Sequence, residues 1–263
     1  MTTGMTAGMM AAMHSHHCTH PAPSAPVIGH LHGHGVLTGA ARPYTRPGSL
    51  SAIDKQPRSG PVSVGPLGLQ GDEQGDLRVH GGPDKAVHAY PWSHYPAWRA
   101  ELAGQEPAQA LLAQPGAFGE NLSVQGLDEA QVCLGDEWQI GSARLQVSQG
   151  RQPCWKLNDR FAQPGMALRV QASLRTGWYL RVLQPGALQA GDPIHLLARP
   201  HPQWPLTRIL QAIAERHCDP ALMRQLLALP LPPNWQRLFA RRLEQQQIED
   251  WQARLAGPQS APD

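Results

Sequence analysis

Apolar and polar positions alternate through the middle of the chain in short runs. Val132, Leu134, Trp138 and Ile140 alternate with polar residues, with Gly135-Asp136 between the two halves. Gly141-Ser142 offers a reversal, after which Leu145 and Val147 resume the alternation. A period of two with turn residues at the joints predicts a β-meander over 130–148. Residues 178–183 and 194–197 predict further strands, punctuated by Pro185-Gly186 and Gly191-Asp192. Residues 91–102 and 166–175 predict helices inserted among them. Many short strands spaced by turns indicate a barrel rather than a doubly wound sheet.

Past Pro200 the period changes. His201-Pro202-Gln203-Trp204-Pro205 reads as a linker. Leu206, Ile209, Leu210 and Ile213 then form a stripe at helical spacing. Asp219-Pro220 suits an N-cap followed by a first-turn proline. Asn234 is a candidate cap for a third helix running to about Leu255, with Trp235, Leu238, Ile248 and Trp251 on its apolar side. The fold class expected is mixed and β-rich: a barrel with inserted helices over 36–200, and a small three-helix bundle over 201–257. Residues 1–35 and 258–263 are expected to be disordered tails. The first holds five of the seven methionines and seven of the thirteen histidines and shows neither period.

Composition narrows the function classes. The net charge of +2 and the absence of long charge blocks argue against a nucleic acid polymer as partner. No run of 18 apolar residues predicts a membrane span, and the N-terminus makes a poor signal peptide. Four cysteines without a CxxC pair predict neither a zinc ribbon nor a disulfide framework, and the cytoplasm is the expected compartment. Clustered imidazoles in the tail, with Cys18, raise loose metal binding as a separate reading. Lysine occurs only at positions 55, 85 and 156.

Three stretches carry candidate chemistry. His80-Gly81-Gly82-Pro83-Asp84-Lys85 sets a histidine and a lysine on either side of a glycine pair, where backbone can approach an anionic ligand closely. The same segment is also readable as a plain glycine turn. Gly116-Ala117-Phe118-Gly119-Glu120-Asn121 is a tight loop with polar side chains, in which Glu120 is equally suited to accept backbone amides. Gln149-Gly150-Arg151-Gln152-Pro153-Cys154-Trp155-Lys156 follows a strand and places Cys154 between two cations. Flanking positive charge favours the thiolate, which is a soft metal ligand and a nucleophile. Cys133, within a strand, and Cys218, at a helix end, have no such flanks and are read as structural.

With Gly71-Asp72-Glu73-Gln74, these spaced segments resemble the MOSC-domain family, named for the C-terminal domain of molybdenum-cofactor sulfurase, and within it the YiiM-like branch. The resemblance covers about residues 36 to 256 and implies a MOSC-type barrel. It also implies a molybdenum cofactor, a pterin dithiolene holding molybdenum, with Cys154 as protein ligand and the catalytic centre of an oxidoreductase. His80, Lys85, Asn121, Arg151 and Lys156 would bind the cofactor. Glu120 and Asp84 would position substrate or a neighbouring loop. The implied reaction is reduction of N-hydroxylated compounds such as 6-hydroxylaminopurine-type bases, with electrons from an external donor or partner reductase. A cofactor or sulfur carrier using Cys154 is the alternative, and a homodimer is left open.

Overall fold

The computed structural model describes residue 1 and residues 25–76 and 80–257. Seven strands close into a barrel: β1 (Val27–Thr38), β2 (Val87–Pro91), β3 (Leu122–Gln125), β4 (Glu137–Ile140), β5 (Ala143–Gly150), β6 (Trp178–Gln184) and β7 (Pro193–Ala198). Their order around the ring is β7-β4-β5-β6-β2-β3-β1, and β1 pairs back onto β7. Directions cannot alternate all the way round an odd ring, so at least one neighbouring pair must be parallel. That pair is β2–β3, with Ala89 opposite Leu122 and Pro91 opposite Val124. A parallel pair needs a crossover, and this one carries the helices α1 (Tyr95–Glu101) and α2 (Glu106–Leu111).

Alternation decides what fills the barrel. Trp138 and Ile140 on β4, Leu145 and Val147 on β5, and Trp178 and Leu180 on β6 all turn inward and are buried. The Trp138 and Trp178 rings meet edge to face at 5.9 Å. On β2 the same period sends Val87 and Ala89 into the barrel core, while Tyr90 joins a second core outside it. There Tyr90 stacks on Phe118 at 4.1 Å. Trp98, Phe161 and Met166 complete this layer, the last two from α3 (Lys156–Arg160) and α4 (Met166–Ala172) or their ends.

The helical unit follows. The stripe on α5 (Leu206–Ala214) is buried as its spacing predicted, and a Cβ added at Gly150 would lie 2.7 Å from the Leu210 side chain. Glycine there lets α5 dock directly on the end of β5. Asp219 caps α6 (Pro220–Leu227), its carboxylate accepting from the Leu222 amide at 2.9 Å. α7 (Pro233–Gln245) brings Trp235 and Phe239 into the core.

Four expectations are corrected. β1 begins at Val27, inside the segment read as tail up to residue 35. His30 and Leu31 pair with Gln125 and Val124, so the strand is held by neighbours that the local sequence does not display. The remainder of the expected tails, residues 2–24 and 258–263, lies outside the described residues. Residues 130–134 form turns rather than the first meander strand. Their backbone is taken by the linker instead, Leu134 N–H donating to Trp204 O at 3.1 Å and Leu206 N–H to Val132 O at 2.8 Å. Cys133 therefore sits in a single bridge to Pro205.

Asn234 lies inside α7, whose cap is Pro232. That helix does not reach Leu255. It ends where Gln246 turns left-handed (φ 52°), and α8 (Gln252–Leu255) is separate. The break lets Glu249 fold back onto the fully buried guanidinium of Arg242, at 2.8 Å and 3.0 Å. That same guanidinium donates to the carbonyls of Ala212 and His217 at the end of α5. Among the described residues, no helix is long and apolar enough to cross a membrane.

Candidate cofactor site

β5 runs into the cysteine loop. Arg151 N–H still bonds Gly177 O at 2.9 Å, but Pro153 has no N–H to donate and the ladder ends. Cys154 follows, then the turn into α3, with Leu157 N–H donating to Cys154 O at 3.1 Å. The cysteine is 8% exposed and its Sγ lies 3.9 Å from His80 Nε2. His80 arrives on the segment before β2. Burial drives its pKa down to about 4, and Lys156, Arg151 and Lys85 push the same way while Asp76 opposes them. The imidazole is therefore neutral at pH 7, so it can accept or donate one hydrogen bond without bringing a charge.

His80 and Cys154 line a cavity beside the barrel, under the loops joining β1 to β2 and β2 to β3. Lys85, Arg151 and Lys156 line it too, as does Lys55. Burial lowers the Lys85 pKa, against the pull of Asp84 and Cys154. Lys156 is fixed by donating to Leu50 O at 2.6 Å. Arg151 is 6% exposed and its Nη1 has no hydrogen-bond partner. His88 on β2 is buried, and burial holds its pKa well below the usual histidine value. A buried guanidinium nitrogen without a partner is costly in the cavity wall. The cavity's acids are Asp72 and Glu73, and Asp72 is already paired with Lys55. The balance favours an anionic ligand.

Six of the eight residues singled out in the sequence thus converge: His80, Lys85, Asn121, Arg151, Cys154 and Lys156. Asn121 lines the cavity but has both ends of its amide engaged. Oδ1 accepts His88 N–H at 3.1 Å, and Nδ2 donates to Leu37 O and to Asp72 Oδ2. Glu120 and Asp84 do not line the cavity. Glu120 is fully buried beneath it, accepting from the amides of Gly116 (2.8 Å) and Phe118 (3.1 Å) and from the Tyr95 hydroxyl. Asp84 pairs with Arg181 on β6 at 2.9 Å, and its carbonyl accepts from Ser148. In the neighbouring loop Gly119 has φ 72° and would place a Cβ 2.7 Å from Ile53, so a side chain there would break the cavity wall.

Sequence reasoning missed Lys55, Asp72, His88 and Tyr179 as lining residues. Lys55 was within reach, because the scarcity of lysine that drew attention to positions 85 and 156 applies equally to 55. Tyr179 carried no signal. It faces the cavity from β6, where burial raises its pKa and the Arg151 guanidinium opposes the rise. Arg254 was also missed. Burial lowers its pKa to about 10, while the Cys154 thiol pulls it the other way.

Comparison with known proteins places this geometry. Residues 76–195 match the MOSC domain, and residues 204–246 match the YiiM-like three-α-helix domain. Protein YiiM of Escherichia coli is 39% identical over 222 residues, which are 84% of this chain and 97% of that protein. The chain belongs to the MOSC-domain family, in its YiiM-like branch. The crystal structure of YiiM from Geobacillus stearothermophilus superposes with a TM-score of 0.67 at 33% identity, covering 81% of this chain and 99% of that one. A protein of Gibberella moniliformis named "Reductase" is 37% identical over 228 residues, but this chain spans only 39% of its length. The MOSC match takes in β2 to β6, the start of β7 and the cysteine loop, while β1, Lys55 and Asp72 precede it and α8 follows both matches. MOSC domains are associated with the molybdenum cofactor.

Proposed function

We propose that this chain is a molybdenum-cofactor-dependent reductase of N-hydroxylated compounds, such as 6-hydroxylaminopurine-type bases. The observation that carries the reading is a buried thiol, Cys154, at the wall of a cation-lined cavity where Arg151 Nη1 lacks a partner. The residues present fit the cofactor. Among the described residues no three His, Cys, Asp or Glu side chains are grouped to hold a metal. A single protein thiolate suits a metal that arrives with most of its ligands on an organic carrier.

Cys154 would hold the metal. Lys85, Arg151 and Lys156 would hold the anionic groups of the pterin, where charge-assisted bonds to phosphate are strong. The bound cofactor supplies two-electron oxygen-atom transfer. Overall, R–NHOH gains two electrons and two protons and becomes R–NH₂ and water, with the electrons coming from an external reductase. His80 is neutral and 3.9 Å from the thiol, so it is placed to orient a hydroxylamine by hydrogen bonding without repelling the surrounding cations. Burial of Arg151, Cys154 and Lys156 in the cavity wall strengthens these contacts.

The test is molybdenum and pterin content of protein from a cofactor-competent host, wild type beside Cys154→Ser, together with turnover of an N-hydroxylated base by an added reductase. Stoichiometric molybdenum in wild type, little in the variant, and turnover only by wild type are expected. Loading without turnover would replace the reductase reading with that of a cofactor carrier. Absence of molybdenum and pterin from wild type would overturn both.

A further inference from the structure

α8 is too short to be stable alone. None of its four residues is buried, and its apolar anchor is the preceding Trp251, which packs against the core. Its remaining attachments are polar, and they converge on the cysteine loop. Arg254 Nη1 donates to Pro153 O at 2.6 Å, and the carbonyl of the same residue accepts Trp155 N–H at 2.7 Å. The residues on either side of Cys154 are therefore held by one residue about a hundred positions further along the chain. Arg254 Nη2 donates to Gln171 Oε1 on α4 at 2.6 Å, which gives the guanidinium a second anchor in the helical layer. The next two carbonyls continue the pattern. Leu255 O accepts Asn158 Nδ2 at 2.8 Å, and Ala256 O accepts Arg46 Nη2 at 2.9 Å. Arg46 in turn lies over the Trp155 ring, 4.1 Å from its centroid.

Besides these bonds, the loop is held by Arg151 N–H at its start and by the first turn of α3 at its end. Pro153 cannot donate, and the chain at 151–154 belongs to neither strand nor helix. Its direction is decided by what grips Pro153 O and Trp155 N–H. We propose that Arg254 is a positioning residue that clamps the Cys154 loop from both sides and holds the thiol against the cavity, making the C-terminal segment a working part of the site. The clamp deepens the cofactor reading above, in that the thiol is held where that reading needs it. The geometry of the clamp itself does not require a cofactor. A planar guanidinium reaches Pro153 and Gln171 together, which a lysine ammonium cannot do.

The experiment uses the full-length, cofactor-free protein as wild type, Arg254→Ala and Arg254→Lys. Two quantities are measured at fixed pH: the rate of iodoacetamide alkylation of Cys154, followed on its own peptide, and hydrogen exchange along the chain. For Arg254→Ala the expected results are alkylation roughly tenfold faster and lost protection at 151–156, since a charged hydrogen bond to backbone is gone. Protection of β5 and α5 should be unchanged. Arg254→Lys should fall between the two. Unchanged alkylation and exchange at 151–156 in Arg254→Ala would overturn the clamp. So would protection lost evenly over the whole chain, which would make α8 a general brace. Molybdenum content of the same three proteins, produced separately in a cofactor-competent host, separates the two readings. A clamp seen in the exchange data with no molybdenum in wild type leaves the clamp standing and removes the cofactor reading.

Discussion

Replacing Glu120 by Gln probes how the cavity floor is built. The carboxylate is fully buried, with Oε1 accepting from Gly116 N–H and the Tyr95 hydroxyl and Oε2 from Phe118 N–H. The carbonyl side of the same turn is held by Arg160, which donates to Ala117 O at 2.9 Å and Gly116 O at 3.0 Å. A glutamine fits the space but has only one acceptor end. If its oxygen keeps Gly116 and Tyr95, its NH₂ faces the Phe118 N–H and leaves a buried donor without a partner. One such orphan costs about 1–3 kcal/mol, and the surviving bonds lose their charge assistance, for a total of about 3 kcal/mol. In a chain of this size each kcal/mol moves the midpoint by about 2–4 °C, so Tm should fall by roughly 6–12 °C. Thermal unfolding followed by circular dichroism reads this, with turnover measured well below the transition. A midpoint within about 2 °C of wild type would refute the bonding role. A variant of normal stability that lost turnover would instead return Glu120 to a place beside substrate.

Three further outcomes follow from the same contacts. Arg151→Met removes a buried guanidinium that has an open Nη1 and also bonds the Tyr179 hydroxyl. Its molybdenum-to-protein ratio should drop, and unchanged loading would show that Arg151 does not face the cofactor. Lys55→Met strands the Asp72 carboxylate and should cost about 3–5 kcal/mol in urea unfolding, much of it recovered by adding Asp72→Asn. His80 and His88 both stay neutral in the fold to lower pH than in the unfolded chain, owing first to burial. The unfolded state therefore takes up protons first as pH falls below 6.5. Stability should decline from there towards about pH 4, by at most about 1.4 kcal/mol per pH unit for each histidine. Urea midpoints from pH 7.5 downward check the sign, and His88→Gln should flatten the slope.

Local periods made a good part of this molecule legible. Alternation at Trp138, Ile140, Leu145 and Val147 marked the inward face of β4 and β5, and the Leu206–Ile213 stripe marked the docking face of α5. Cys154 stood out because its two cations are neighbours in sequence, so their effect needs no folding to be seen. A period says which face is buried, however, and not which strand lies beside it. The parallel β2–β3 pair and the closure of β1 onto β7 depend on partners far along the chain. For the same reason β1 looked like part of a tail until Gln125 and Val124 were set beside it.

Side-chain direction is the second quantity that tertiary structure alone decides. Glu120 and Asn121 are adjacent, but one turns under the cavity and the other lines it, because the turn at 116–119 presents its amides to the first. The grip of Arg254 on Pro153 and Trp155 joins segments that share no local pattern. The sequence by itself determined the chemistry on offer, a thiol among scarce lysines and a histidine beside glycines, since residue types and near neighbours are set along the chain. Folding decided which of those groups meet and which are spent on structure, because hydrogen bonds and burial act between positions that only the closed barrel and the docked helices bring together.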